Sequence, residues 1–142
     1  DKRVTDAIDA AHDAGVKAHV IGYDNNMPAR LAEADVVVGK PGGLTASEAT
    51  AAGRPMLLVG TCPGQEQHNE DWLCVNGAAI ASRPDRVGVH LEWLRRTGQL
   101  PAMAAAARRL GTPHAAQDVL AAALEAALRV RSPWAFAQRL HA

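Results

Sequence analysis

Apolar runs and glycine-rich loops alternate along this chain, and that alternation restricts the possible fold more than any other feature. Val36-Val-Val38 is a continuous apolar run that fits a parallel strand buried on both faces. The loop Gly39-Lys-Pro-Gly-Gly43 follows it and leads into a helical stretch, 44–52, closed by Gly53. Met56-Leu-Leu-Val59 repeats the pattern, with the loop Thr61-Cys-Pro-Gly-Gln65 and a helix over residues 66–75, and Ala78-Ala-Ile80 reads as a last short strand. Upstream, residues 3–14 form an amphipathic pattern with Val4, Ile8 and Ala11 on one stripe and Gly15 as its stop. Ala18-His-Val-Ile21 then reads as a strand, residues 22–27 as a turn-rich loop, and Pro28 as the first turn of a helix over 28–34. Three alanine-rich helices are expected near 84–97, 100–110 and 113–130. Strands alternating with helices require right-handed crossovers, so the expected fold class is α/β with a parallel sheet covered on both faces.

Such sheets bind ligands outside the carboxyl ends of their strands. Three loops leave strand carboxyl ends in this reading: 22–28, 39–43 and 61–65. The fold is therefore expected to gather them on one rim.

Composition narrows what that rim can bind. Fifteen basic residues balance fifteen acidic ones over 142 residues, which removes a global electrostatic case for nucleic-acid or anionic-membrane binding. Aromatics make up only 4% of the chain, too few for base-stacking platforms. Cys62 and Cys74 fit neither a disulfide scaffold nor a zinc ribbon; they read as small buried fillers in a reducing cytosol. No apolar run approaches the roughly 18–20 residues of a membrane span, and the charged first residues carry no signal-peptide pattern.

The most informative stretch is Gly39-Lys-Pro-Gly-Gly-Leu-Thr-Ala-Ser-Glu48. Gly42 and Gly43 let the backbone approach a ligand closely. Beyond them, the N–H groups of Gly43, Leu44 and Thr45 open a helix, with the positive end of its dipole behind them, which suits a diphosphate. Thr45 adds a hydroxyl donor. Glu48, one turn further in, can accept paired hydrogen bonds from the vicinal hydroxyls of a ribose. The same spacing also fits a plain strand–turn–helix in which Glu48 is a solvated acid. There is no G-x-G-x-x-G dinucleotide fingerprint and no P-loop. In the second stretch, Gln65, Glu66 and Asn69 cluster donors and acceptors suited to sugar hydroxyls, or else simply form a polar helix start. His68 stands near the rim as a ligand contact or a surface residue, and Met27 as a cover for a flat heterocycle or a core residue. The six histidines show no metal-ligand spacing, and no D-x-D motif stands at a strand end to hold a divalent ion.

Taken together, G22-Y-D-N-N-M27, A34-D-V-V-V-G-K-P-G-G-L-T-A-S-E48, G53-R-P55, P63-G-Q-E66 through N69, and N76-G-A-A79 resemble the C-terminal, donor-binding domain of glycosyltransferase family 28. Within it, the P-G-Q-E segment looks most like the monogalactosyl- and glucosyl-diacylglycerol synthases. The resemblance implies a GT-B fold of two Rossmann-like domains, of which residues 1–130 would supply the C-terminal, donor-binding half, lacking its first strands. Residues 131–142 would be a tail, either packed across a domain interface or fraying. It also implies an inverting, metal-independent transfer of galactose or glucose from a UDP-sugar to a diacylglycerol-type lipid, with no cofactor beyond the UDP-sugar substrate. Gly42, Gly43, Leu44 and Thr45 would hold the diphosphate, Glu48 the ribose and Met27 the uracil. Gln65, Glu66 and Asn69 would hold the sugar. The catalytic base and the membrane-facing lipid acceptor would belong to an N-terminal domain absent from these residues, so the chain alone would be inactive. A separate donor-binding subunit of a two-chain lipid glycosyltransferase and a nucleotide-sugar epimerase are the competing readings.

A helix N-terminus that supplies the positive field, with no acidic metal motif, predicts UDP binding that survives chelation. Titration calorimetry of UDP with and without EDTA checks this, and loss of heat on chelation contradicts it.

Overall fold

A computed structural model describes residues 2–130. The elements run α1 (Lys2–Asp13), α2 (Met27–Glu33), β1 (Val37–Gly39), α3 (Gly43–Ala51), β2 (Met56–Leu58), α4 (Gln65–Val75) and β3 (Ala79–Ala81). A 3-10 turn at Pro84–Arg86 leads into α5 (Val87–Thr97), α6 (Leu100–Leu110) and α7 (Ala115–Val130). The strands form a parallel sheet in the order β1-β2-β3. The α/β fold with a parallel sheet and flanking helices is thus as the alternation requires. Residues 131–142, read above as a tail, lie outside the described residues. No helix among the described residues is long and apolar enough to cross a membrane.

The register levels the sheet at its carboxyl end. Gly39 pairs with Leu58, and Leu58 with Ala81. The ladder extends one step further, where the Val59 N–H donates to the Gly39 carbonyl (2.9 Å) and the Ser82 N–H to the Leu58 carbonyl (2.7 Å). Loops leaving β1 and β2 therefore emerge side by side.

β2 is the centre of the core. Met56, Leu57 and Leu58 are all buried, so this strand is apolar on both faces, as a strand flanked by helices must be. Ala46 and Ala49 of α3, Leu73 of α4, and Ala106 and Ala107 of α6 pack around it. Small side chains on α3 and α6 let the two helices approach closely. Backbone meets backbone where α6 ends: a β-carbon on Gly111 would stand 2.3 Å from the Thr50 carbonyl oxygen and 2.9 Å from the Ala51 Cα. Glycine is required there by the proximity of another backbone, not by its own dihedrals.

One expected strand is not formed. Residues 16–21 run as irregular chain, with Val16, Val20 and Ile21 exposed. Among the described residues no strand pairs with them: β1 is paired with β2 alone. An extended segment cannot become a strand without a neighbour to satisfy its backbone groups. The loop at 22–28 consequently does not leave a strand end.

Gly111→Ala should destabilise the fold by about 1–3 kcal/mol, because the added methyl forces backbone rather than a side chain to move. Urea unfolding followed by circular dichroism measures it; an unchanged midpoint would remove the close-approach argument.

Candidate functional site

The site is built on the first turn of α3. Gly42 is extended (φ −61°, ψ 144°) and caps the helix without any side-chain hydrogen bond. The first intrahelical bond runs from the Ala46 N–H to the Gly42 carbonyl (2.8 Å), which leaves the N–H groups of Gly43, Leu44 and Thr45 pointing out of the helix end. All three residues are exposed. Ser47 takes no part in this opening, since its hydroxyl donates back to the Gly43 carbonyl (2.8 Å).

The loop before the helix is held from a distance. Pro41 is fully buried, and its carbonyl accepts a 2.8 Å hydrogen bond from Asn69 Nδ2 on α4. Asn69, expected among the sugar contacts, thus gives its amide N–H to the glycine-rich loop. This bond fixes α4 against the turn that opens α3, across 28 residues of sequence. The positioning role is invisible in the sequence, where nothing marks the Pro41 carbonyl as the partner.

The remaining residues of the second polar stretch divide by what they already touch. Gln65 is exposed and lies beside the glycine-rich turn, with its Nε2 3.8 Å from where a Gly43 β-carbon would stand. Glu66 Oε2 accepts the Cys62 N–H at 2.8 Å, closing the loop onto the start of α4. His68 Nδ1 lies 2.9 Å from the Gly64 carbonyl, one turn back on its own helix. Thr61 donates to Glu70. Gly64 shapes this start: φ +105° with ψ −130° is a backbone conformation open to glycine and strongly unfavourable for any L side chain. Gln65 is therefore the side chain of this stretch that stands both free and next to the α3 amides.

Glu48 faces a different space. It lines a groove of about 470 Å³ with Pro28, Leu31, Arg54 and Pro113. Among the described residues its carboxylate has no hydrogen-bond or ion-pair partner, so it remains available to hydroxyl donors. Met27, the first residue of α2, is 43% exposed and adjoins Pro28 of that groove in sequence. The turn before α2 is ordered by Asp24, which accepts the Asn26 N–H (2.7 Å) and Arg30 Nε (2.8 Å). The Arg30 hydrogen bond, followed by that from Asn26, holds the Asp24 carboxyl below its usual range. The loop at 22–28 thus reaches the site through the packing of α2 on α3 and not through a strand end.

Arg54 enters the sequence reading only within Gly53-Arg-Pro55, with no role of its own. It spans from the end of α3 to α2, donating through Nη2 to the Ala32 carbonyl (2.5 Å). Its Nε is buried without a partner among the described residues. Beside Glu48, it places a cation in an otherwise apolar groove. Only its place immediately after Gly53 could have drawn attention to it.

Asn69→Ala should leave the buried Pro41 carbonyl unpaired and cost about 1–3 kcal/mol of stability. It should also weaken UDP binding by loosening the glycine-rich loop. Unchanged stability and unchanged affinity in the same variant would show that the loop holds its shape unaided.

Comparisons with known proteins agree with this geometry. The model of the glycosyltransferase family 28 C-terminal domain matches residues 4–85. The chain is 38% identical over 134 residues to the UDP-N-acetylglucosamine–N-acetylmuramyl-(pentapeptide) pyrophosphoryl-undecaprenol N-acetylglucosamine transferase of Azotobacter vinelandii, covering 84% of the chain and 36% of that relative. It is 35% identical over 138 residues to the enzyme of the same name from Agrobacterium fabrum, covering 88% of the chain and 35% of the relative. A crystal structure of Acinetobacter baumannii MurG superposes with a TM-score of 0.70 at 26% identity, over 82% of this chain and 36% of that one. The chain spans about a third of the length of the curated relatives it matches. These relatives are N-acetylglucosamine transferases, so the narrower likeness to diacylglycerol synthases drawn from Pro63-Gly64-Gln65-Glu66 is not supported; four residues discriminate less than the whole matched stretch. The unpartnered α3 amides, the glycine-rich turn and the parallel sheet beneath them are those of a family 28 glycosyltransferase C-terminal domain, and to that family the chain belongs.

Proposed function

We propose that this chain is the donor-binding half of an inverting transferase that moves N-acetylglucosamine from UDP-N-acetylglucosamine to a lipid-linked acceptor. The observation that carries the reading is the juxtaposition at α3: three free backbone N–H groups with Gln65 Nε2 beside Gly43. A diphosphate seated on those amides is stabilised by the helix dipole. As the sugar–phosphate bond breaks, negative charge grows on the leaving UDP, so the same fixed donors serve the transition state more than the ground state. The sugar then extends toward Gln65, while the ribose reaches Glu48 and the base lies over Met27 and Pro28.

The kind of sugar and the acceptor follow from what the relatives are named for. Transfer requires a base on the acceptor hydroxyl, opposite the leaving group. On the rim described here, Glu66 and His68 are tied to their own helix start. The base and the acceptor site are therefore assigned to the remaining two-thirds of a protein of the relatives' length. Transfer of galactose or glucose to diacylglycerol is the second reading, favoured by Pro63-Gly64-Gln65-Glu66 alone.

Competition binding separates the two. UDP-N-acetylglucosamine should displace a fluorescent UDP analogue more effectively than UDP-galactose or UDP-glucose. Gln65→Ala should weaken the UDP-sugar while leaving UDP unchanged, and Glu48→Ala should weaken both, each lost bond being worth about 0.5–1.5 kcal/mol, more at the charged Glu48. Preference for UDP-galactose or UDP-glucose would favour the second reading, and equal effects of Gln65→Ala on UDP and UDP-sugar would remove Gln65 from the sugar site.

A further inference from the structure

Two loops meet at the rim, 39–45 and 60–66, and between them they carry two charged residues, Lys40 and Glu66. Their charges cancel. A diphosphate seated on the α3 amides would therefore arrive next to a carboxylate, in a part of the surface with no net positive charge of its own. The helix dipole offsets part of that repulsion, but its influence is confined to the first turn.

Lys40 stands two residues before Gly42, at the carboxyl end of β1. Its aliphatic stem crosses over Gly60, where a β-carbon would stand 3.6 Å from Lys40 Cε. Its ammonium donates to Cys62 Sγ at 3.1 Å and lies 3.9 Å from Glu66 Oε2. Neither partner holds it firmly. Sulfur is a weak acceptor, the carboxylate is beyond hydrogen-bond distance, and the Lys40 side chain is 53% exposed. A flexible four-carbon stem lets such an ammonium exchange partners readily. Cys62 and Glu66 both favour the charged form of Lys40, Cys62 more strongly.

We infer that Lys40 is a diphosphate-binding residue, whose ammonium leaves Cys62 and Glu66 for the phosphate oxygens of the incoming nucleotide. The inference rests on the donor-binding reading and adds to it the cation that the backbone amides lack. It also gives the Lys40–Cys62 contact a meaning: this is the resting position of a charge whose working partner is the ligand. The move frees Glu66 on its Lys40 side, next to Gln65.

The test is titration calorimetry of the 142-residue chain with UDP and with uridine, at low and moderate salt, on wild type, Lys40→Met, Lys40→Gln, Lys40→Arg and Cys62→Ser, each checked by circular dichroism. Removing the charge should weaken UDP about tenfold and leave uridine unchanged. It should also flatten the salt dependence of UDP binding, because an exposed ion pair is screened. Lys40→Arg should stay close to wild type, and Cys62→Ser should not weaken UDP. Wild-type UDP affinity in Lys40→Met and Lys40→Gln overturns the inference and leaves the donor reading standing. So does an equal loss for UDP and uridine, or a loss in Cys62→Ser that matches Lys40→Met, since the pair would then be a brace between loops. If wild type binds neither UDP nor uridine, the donor reading fails and this inference falls with it.

Discussion

The parallel register of three short strands governs everything that the rim does. Because Gly39, Leu58 and Ala81 stand level, the loops after β1 and β2 leave the sheet at the same height. The helix that follows β1 then starts beside the helix that follows β2, and α4 can reach α3's opening turn with a single side chain. Asn69 makes that reach. A one-residue slip between β1 and β2 would carry the glycine-rich turn about 3.3 Å along the strand and part this bond. Buried β2 pairs with β1 on one side and β3 on the other, so it ties the three strands into one register.

Site construction here divides labour between backbone and side chains. The groups that α3 presents at its opening are main-chain N–H donors, whose directions are set by helix geometry and cannot rotate away. Side chains either brace those donors, as Asn69 does, or close the neighbouring loop, as Glu66 does at Cys62. Gln65, beside Gly43, and Glu48, in the groove with Arg54, have no hydrogen-bond partner among the described residues. Donors that are already oriented lose little entropy on binding, which favours preorganised sites over ones that must be assembled.

How much of this is legible in the sequence depends on whether the cause is local. Helix starts and stops, the buried run at 56–58 and the opening of α3 after Gly42-Gly43 are local, and the structure places them within a residue or two of expectation. The strand at 18–21 does not form because β-pairing is a property of two segments, and no described strand pairs with this one. The hydrogen bonds of Asn69 and Lys40 are illegible in the sequence for a related reason. Each is decided by an atom far away in the chain, a buried carbonyl for Asn69 and a sulfur for Lys40. Arg54 likewise acquires its place from α2, 22 residues earlier.

Among the described residues β1 pairs with β2 alone, and its other edge has a colloidal consequence. An edge strand offers unpaired N–H and C=O groups to any extended segment that approaches, and proteins ordinarily blunt such edges with charge, proline or a covering element. β1 carries none of these within Val37–Gly39, and Val38 adds a half-exposed apolar side chain to the offer. The irregular stretch at 16–21, with Val16, Val20 and Ile21 exposed, is rich in the β-branched residues that edges capture. Whatever occupies that flank, whether another part of a longer chain or a neighbouring molecule, therefore sets how far these residues can be concentrated before they self-associate.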